Sequence, residues 1–69
     1  MGRYEDDKPP VHLEATCVRE SAKALLVDVG GEEMWIPKSQ IEKDSHVRKE
    51  GDEGVLIISA WIAEQKGLP

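Results

Sequence analysis

Leu25-Leu26-Val27-Asp28-Val29-Gly30-Gly31-Glu32-Glu33-Met34-Trp35-Ile36-Pro37 is the stretch that decides how this chain folds. Two apolar-rich runs meet at a glycine pair, and glycines accept the positive φ angles that a two-residue hairpin loop requires. The reading is a tight antiparallel hairpin. In its second arm Glu33, Trp35 and Pro37 fall on one face and Met34 and Ile36 on the other. Pro37 has no N–H and is expected to end the regular pairing. In the first arm, residues 22–29 are apolar on both faces apart from Lys23 and Asp28. That is the pattern of a central strand; a short buried helix shares it, and the adjoining glycine pair favours the strand.

Working outward toward the N-terminus, Val11, Leu13, Ala15 and Cys17 alternate with His12, Glu14, Thr16 and Val18, the period of a half-buried strand. Arg19-Glu20-Ser21 suits a turn. Residues 1–10 have no periodicity and contain Pro9-Pro10, so they read as a flexible lead-in. Toward the C-terminus, Ser39-Gln40-Ile41-Glu42 has capping-box spacing and predicts a short helical turn opened by Ser39. Residues 43–54 are polar with Val47 as the sole aliphatic residue, an exposed loop with a short edge strand around residues 46–48. Val55-Leu56-Ile57-Ile58 reads as a buried strand. Ser59 is placed to cap a helix over residues 60–66, Gly67 to take its left-handed C′ position and Leu68 to close a Schellman motif. The expected fold is therefore mainly β: a small antiparallel sheet or partly open barrel, SH3-like or OB-like in size, with one short C-terminal helix. Residues 11–69 form one small β-rich domain.

Composition narrows the classes. Sixty-nine residues, 39% hydrophobic, suffice for one small domain, and Cys17 as the only cysteine rules out an intramolecular disulfide. A reducing, cytoplasmic setting is the expectation. The first ten residues lack an apolar core segment and no uninterrupted apolar run exceeds four residues, so neither an export signal nor a membrane span is expected. Nine basic against 14 acidic residues give a net charge of −5, which opposes a life on phosphate backbones.

Three blocks carry a resemblance: Glu20-Ser21-Ala22-Lys23-Ala24-Leu25-Leu26-Val27, then Trp35-Ile36-Pro37-Lys38-Ser39-Gln40-Ile41, then Ala60-Trp61-Ile62-Ala63-Glu64-Gln65-Lys66-Gly67-Leu68. Together they resemble a family of short bacterial and phage-associated proteins of unassigned function. The resemblance implies a stand-alone cytoplasmic β-rich domain with a docked terminal helix, and it carries over no activity or binding residue.

Catalytic and metal chemistry find little support. Cys17 with His12 or His46 would be the only thiolate–imidazole pair, yet Cys17 shares the alternation of the core positions and His12 points to the other face. One cysteine and two distant histidines do not supply a zinc ligand set. The acidic residues Asp44, Glu50, Asp52 and Glu53 lack EF-hand spacing, and Gly30-Gly31 lacks the pattern of a phosphate loop. Glu32 and Glu33 are adjacent on a strand and face opposite ways. A domain of this size is also too small to enclose a usual substrate pocket. A non-enzyme without metal or cofactor is expected.

Two features suit binding instead. In Trp35-Ile36-Pro37-Lys38-Ser39 an aromatic ring, a rigid proline and a cation stand together at a strand end, a recognition edge for a protein or an unpaired base. Against this, a chain with no phenylalanine and three aromatic residues is expected to use Trp35 as its main core filler. The second feature is the basic set Lys38, Lys43, Arg48 and Lys49, although residues 38–54 sum to −1 because Glu42, Asp44, Glu50, Asp52 and Glu53 lie among them. Residues 11–37 sum to −3 and could attract a basic partner. The expected function is a non-catalytic protein-binding or adaptor module, engaging another protein or a second copy of itself. The alternative is a small-barrel binder of single-stranded nucleic acid using Trp35, Lys38, Lys43, Arg48 and Lys49.

Overall fold

The computed structural model describes residues 8–68; the lead-in reading falls largely on residues outside that range. The chain runs β1 (Val11–Glu20), β2 (Ala24–Val29), β3 (Glu32–Pro37), a 3-10 turn (Lys38–Gln40), β4 (Glu53–Ile58) and α1 (Ala60–Gln65). The four strands form one antiparallel sheet in the order β3-β2-β1-β4, so the structure is mainly β with one short C-terminal helix.

The hairpin forms where the glycine pair predicts it. Gly30 and Gly31 have φ of +60° and +93°, and Asp28 Oδ1 accepts the Gly31 N–H at 2.9 Å. Regular pairing ends at Pro37 as expected, with Pro37 opposite Ala24 as the last pair of the register. The closing pair Val29 and Glu32 of a two-residue hairpin exchanges both hydrogen bonds, bonded and non-bonded pairs alternate from there, and Pro37 falls in a non-bonded pair. Its missing N–H would have pointed to the open side of β3, where it costs nothing. β1 runs to Glu20, longer than the alternation suggests, and the turn is residues 21–23, where Ser21 Oγ accepts the Ala24 N–H at 3.0 Å. Between Cys17 and Arg19 the register slips by one residue, leaving Val18 in a bulge.

One face of the sheet carries the core. Cys17, Leu25, Val27, Ile36, Leu56 and Ile58 are buried on it, and Ile62 and Ala63 of α1 pack over them. Residues 43–54 are not wholly exposed: Val47 is a fully buried core residue and Ser45 is buried beside it. This segment forms no edge strand at residues 46–48. It lies along β4 all the same, with Glu42 N–H donating to Ile57 O at 2.8 Å and His46 N–H to Val55 O at 2.9 Å. Between those contacts the Ser45 hydroxyl replaces a backbone partner, accepting the Ile57 N–H at 3.1 Å and donating to Val47 O at 3.0 Å. A single bridge from Ile41 to Ile58 completes the cover of that edge.

Ser39 does not cap the turn after β3. Pro37 is the residue before it and no side chain caps it, because the turn starts two residues earlier than the capping-box spacing requires. Ser59 does cap α1, accepting the Ile62 N–H at 3.3 Å. The helix closes as its sequence predicts: Gly67 has φ +72°, Gly67 N–H donates to Glu64 O at 3.2 Å and Leu68 N–H to Ala63 O at 2.8 Å. No helix among the described residues is long and apolar enough to cross a membrane.

Candidate functional site

Trp35 is not a core filler. It is 44% exposed, the most exposed large apolar residue described. Strand parity is the cause: Ile36 takes the inward position on β3 and is fully buried, so its neighbour faces out. Trp61, half-buried against the core, supplies the aromatic filling from α1.

Register gives Trp35 its neighbours. It lies opposite Leu26, and Leu26 lies opposite Arg19 beside the Val18 bulge, so the outer face carries a row Trp35, Leu26, Val18 and Arg19 across three strands. Val18 is the second exposed large apolar residue, at 37%. The adjacent row, nearer the hairpin turn, is Glu33, Asp28, Thr16 and Glu53, across all four strands. Its three carboxylates form no ion pair with any described residue. Glu14, Thr16, Asp28 and Glu53 border an open cleft of about 260 Å³. Among the described residues no His, Cys, Asp or Glu group is arranged to hold a metal ion.

Two edges of the sheet differ. β4 is covered by residues 41–46, as described above, whereas β3 has no partner on its far side among the described residues. Pairing in the hairpin turns the N–H and C=O of Glu33 and Trp35 toward that open side.

The basic residues gather elsewhere. Lys38 Nζ donates to Glu20 Oε2 at 2.7 Å, and the Glu50 N–H donates to Glu20 Oε1 at 3.2 Å. These contacts, the Lys38 hydrogen bond first, hold the Glu20 carboxyl below the usual glutamate range. Lys38, Ile41 and Arg48 line a pocket of about 100 Å³, and Arg48 Nη1 donates to Lys43 O at 3.3 Å. Lys49 follows in a turn where Asp52 Oδ2 accepts the N–H groups of Arg48 and Lys49, at 3.0 and 3.1 Å. The structure thus brings Lys38, Lys43 and Arg48 together beside Pro37, which directly precedes Lys38, and leaves Trp35 apart from them. Glu20 pairs with the inward-facing Leu25, so the Lys38 ammonium it holds is on the core side of the strand end, while Trp35 is on the outer side.

Cys17 is 1% exposed, its Sγ donates to Arg19 O at 3.0 Å, and burial pushes its thiol pKa up. His12 is exposed on the opposite face of β1. Sequence reasoning missed Leu26, Val18 and the Glu33–Asp28 row as surface features. The hairpin alone held the signal for two of them, because a two-residue loop at Gly30-Gly31 already sets Leu26 opposite Trp35 and Asp28 opposite Glu33.

No family model, curated protein or solved structure shows a match to this chain, so the resemblance to short bacterial and phage-associated proteins stands on its three sequence blocks.

Proposed function

We propose that this protein is a non-catalytic module that binds another protein through the outer face of the β2–β3 hairpin. The observation that carries this reading is Trp35, an exposed tryptophan backed by Leu26 and Val18 at a sheet edge that has an open side. Large aromatic side chains are scarce in this chain, and one left at the surface exposes apolar area that association would remove from water. The nucleic-acid alternative needs the aromatic ring and the cations on one surface. Here the row beside Trp35 is acidic, and Lys38 is neutralised by Glu20.

The test is a differential capture. Immobilised wild-type chain and its Trp35→Ser variant are exposed to the same lysate, and retained proteins are compared by mass spectrometry. A protein held by the wild type and lost by Trp35→Ser is the expected result. Identical retained sets would overturn the reading. A low-salt titration with single-stranded DNA and RNA separates the alternative: saturable binding weakened by Trp35→Ser and by Arg48→Ala would establish it instead.

A further inference from the structure

We infer that the partner is an extended segment alternating basic and aliphatic residues, which pairs with the open side of β3 as an added strand. This inference rests on the protein-binding reading above and specifies its partner.

Three observations converge on it. The first is the open edge. Glu33 and Trp35 present their backbone N–H and C=O groups away from β2, and nothing described occupies them. Such an edge templates another strand. The second is the difference between the two faces next to that edge. Inward, the neighbour with free surface for an added strand is Met34, half-buried and apolar, since Ile36 is already fully covered. Outward, the neighbours are Glu33 and Trp35, a carboxylate and an aromatic face, both of which accept a cation. A strand with aliphatic residues facing in and lysine or arginine facing out matches both.

The third observation is electrostatic. Asp28 and Glu33 are directly opposite each other in a non-bonded pair, the kind that brings side chains closest, and like charges there oppose folding. Asp28 has a structural duty at the hairpin turn, through Gly31. Glu33 has none among the described contacts, and a cation from an added strand would relieve its repulsion. The same charges select against a second copy. A second copy would bring an edge that carries the same Glu32 and Glu33 and a net charge of −5, so it offers this edge like charge rather than the cation that Glu33 and Trp35 accept. Acidic edge residues guard against self-pairing, and they leave a basic strand free to dock.

The experiment uses the full chain and two capped peptides at millimolar concentration, one alternating lysine and valine, the other alternating glutamate and valine. Amide hydrogen exchange of Glu33 and Trp35 is followed by NMR. The lysine–valine peptide is expected to slow both amides, and Glu33→Lys to weaken its binding by at least about tenfold. The glutamate–valine peptide is expected to leave both amides unchanged. Equal effects from the two peptides, or none from either, would overturn the inference. If the Trp35-dependent capture still succeeded in that case, the protein-binding reading would stand without it. Glu33 and Trp35 amides already slow in a free protein that sediments as a dimer would overturn it too, with the second copy as occupant.

Discussion

Glu20 shows how a single residue joins distant parts of a chain this short. Its two carboxylate oxygens take Lys38 Nζ and the Glu50 N–H, tying the ends of β1, β3 and the long loop together. Since its carboxyl is held below the ordinary glutamate value of 4.5, the ionised form is the one favoured by folding. A depressed folded pKa contributes stability above the unfolded value and loses it as pH falls through the folded one. Glu20→Gln is therefore expected to lower the urea midpoint at neutral pH. The gap from wild type should narrow below about 4.5 and close in stronger acid. A gap that stayed constant from neutral pH into strong acid would remove the ionic part of this account. Nothing in sequence spacing pointed to this contact, because its partners are 18 and 30 residues away. Trp35 shows the opposite kind of failure. Its outward position followed from strand parity, but composition argued for the core, and the local period prevailed because Ile36 and Trp61 fill the space.

At the scale of elements, what was legible was whatever local chemistry determines. The Gly30-Gly31 hairpin, the Ser59 cap and the Gly67–Leu68 closure each depend on residues a few positions apart, and each formed as read. The segment 43–54 did not, since its structure depends on β4. One aliphatic residue among polar ones reads as a loop, yet Val47 enters the core and Ser45 completes the hydrogen bonding of Ile57. Removing the hydroxyl would leave a part-buried N–H without its partner. Ser45→Ala is expected to cost about 1–3 kcal/mol and to speed exchange at the Ile57 amide. Val47→Ala is expected to cost about 2 kcal/mol through lost apolar contact and the cavity left behind. The exposed Asp44→Ala in the same segment should stay within about 0.5 kcal/mol of wild type. Chemical denaturation of the three variants decides the matter: equal small effects would mean that the segment is a loose loop after all.

In the molecule as a whole, one edge of the sheet is covered and the other is open among the described residues. The radius of gyration is 11.2 Å, close to the roughly 11 Å of a compact chain of this length, and Trp35 and Val18 are the only large apolar residues exposed among the described ones. A small sheet must manage two edges, and this one treats them differently. β4 is sealed by residues 41–47, with Ser45 and Val47 as the fasteners, whereas β3 is left open with Glu32, Glu33 and Pro37 along it. If those carboxylates are what keep two copies apart, the wild type should sediment as a monomer at low ionic strength. Added salt, which screens exposed charges beyond about 10 Å at 0.1 M, should then favour association. The double variant Glu32→Gln, Glu33→Gln should form dimers at concentrations where the wild type does not, and a further Trp35→Ser should return it to monomer. Sedimentation velocity across a salt series reads all three. A wild-type dimer at low salt would show that the acidic edge does not guard against self-pairing, and a double variant that stayed monomeric would shift the guarding role to Pro37, whose missing N–H already removes one hydrogen bond from any added strand.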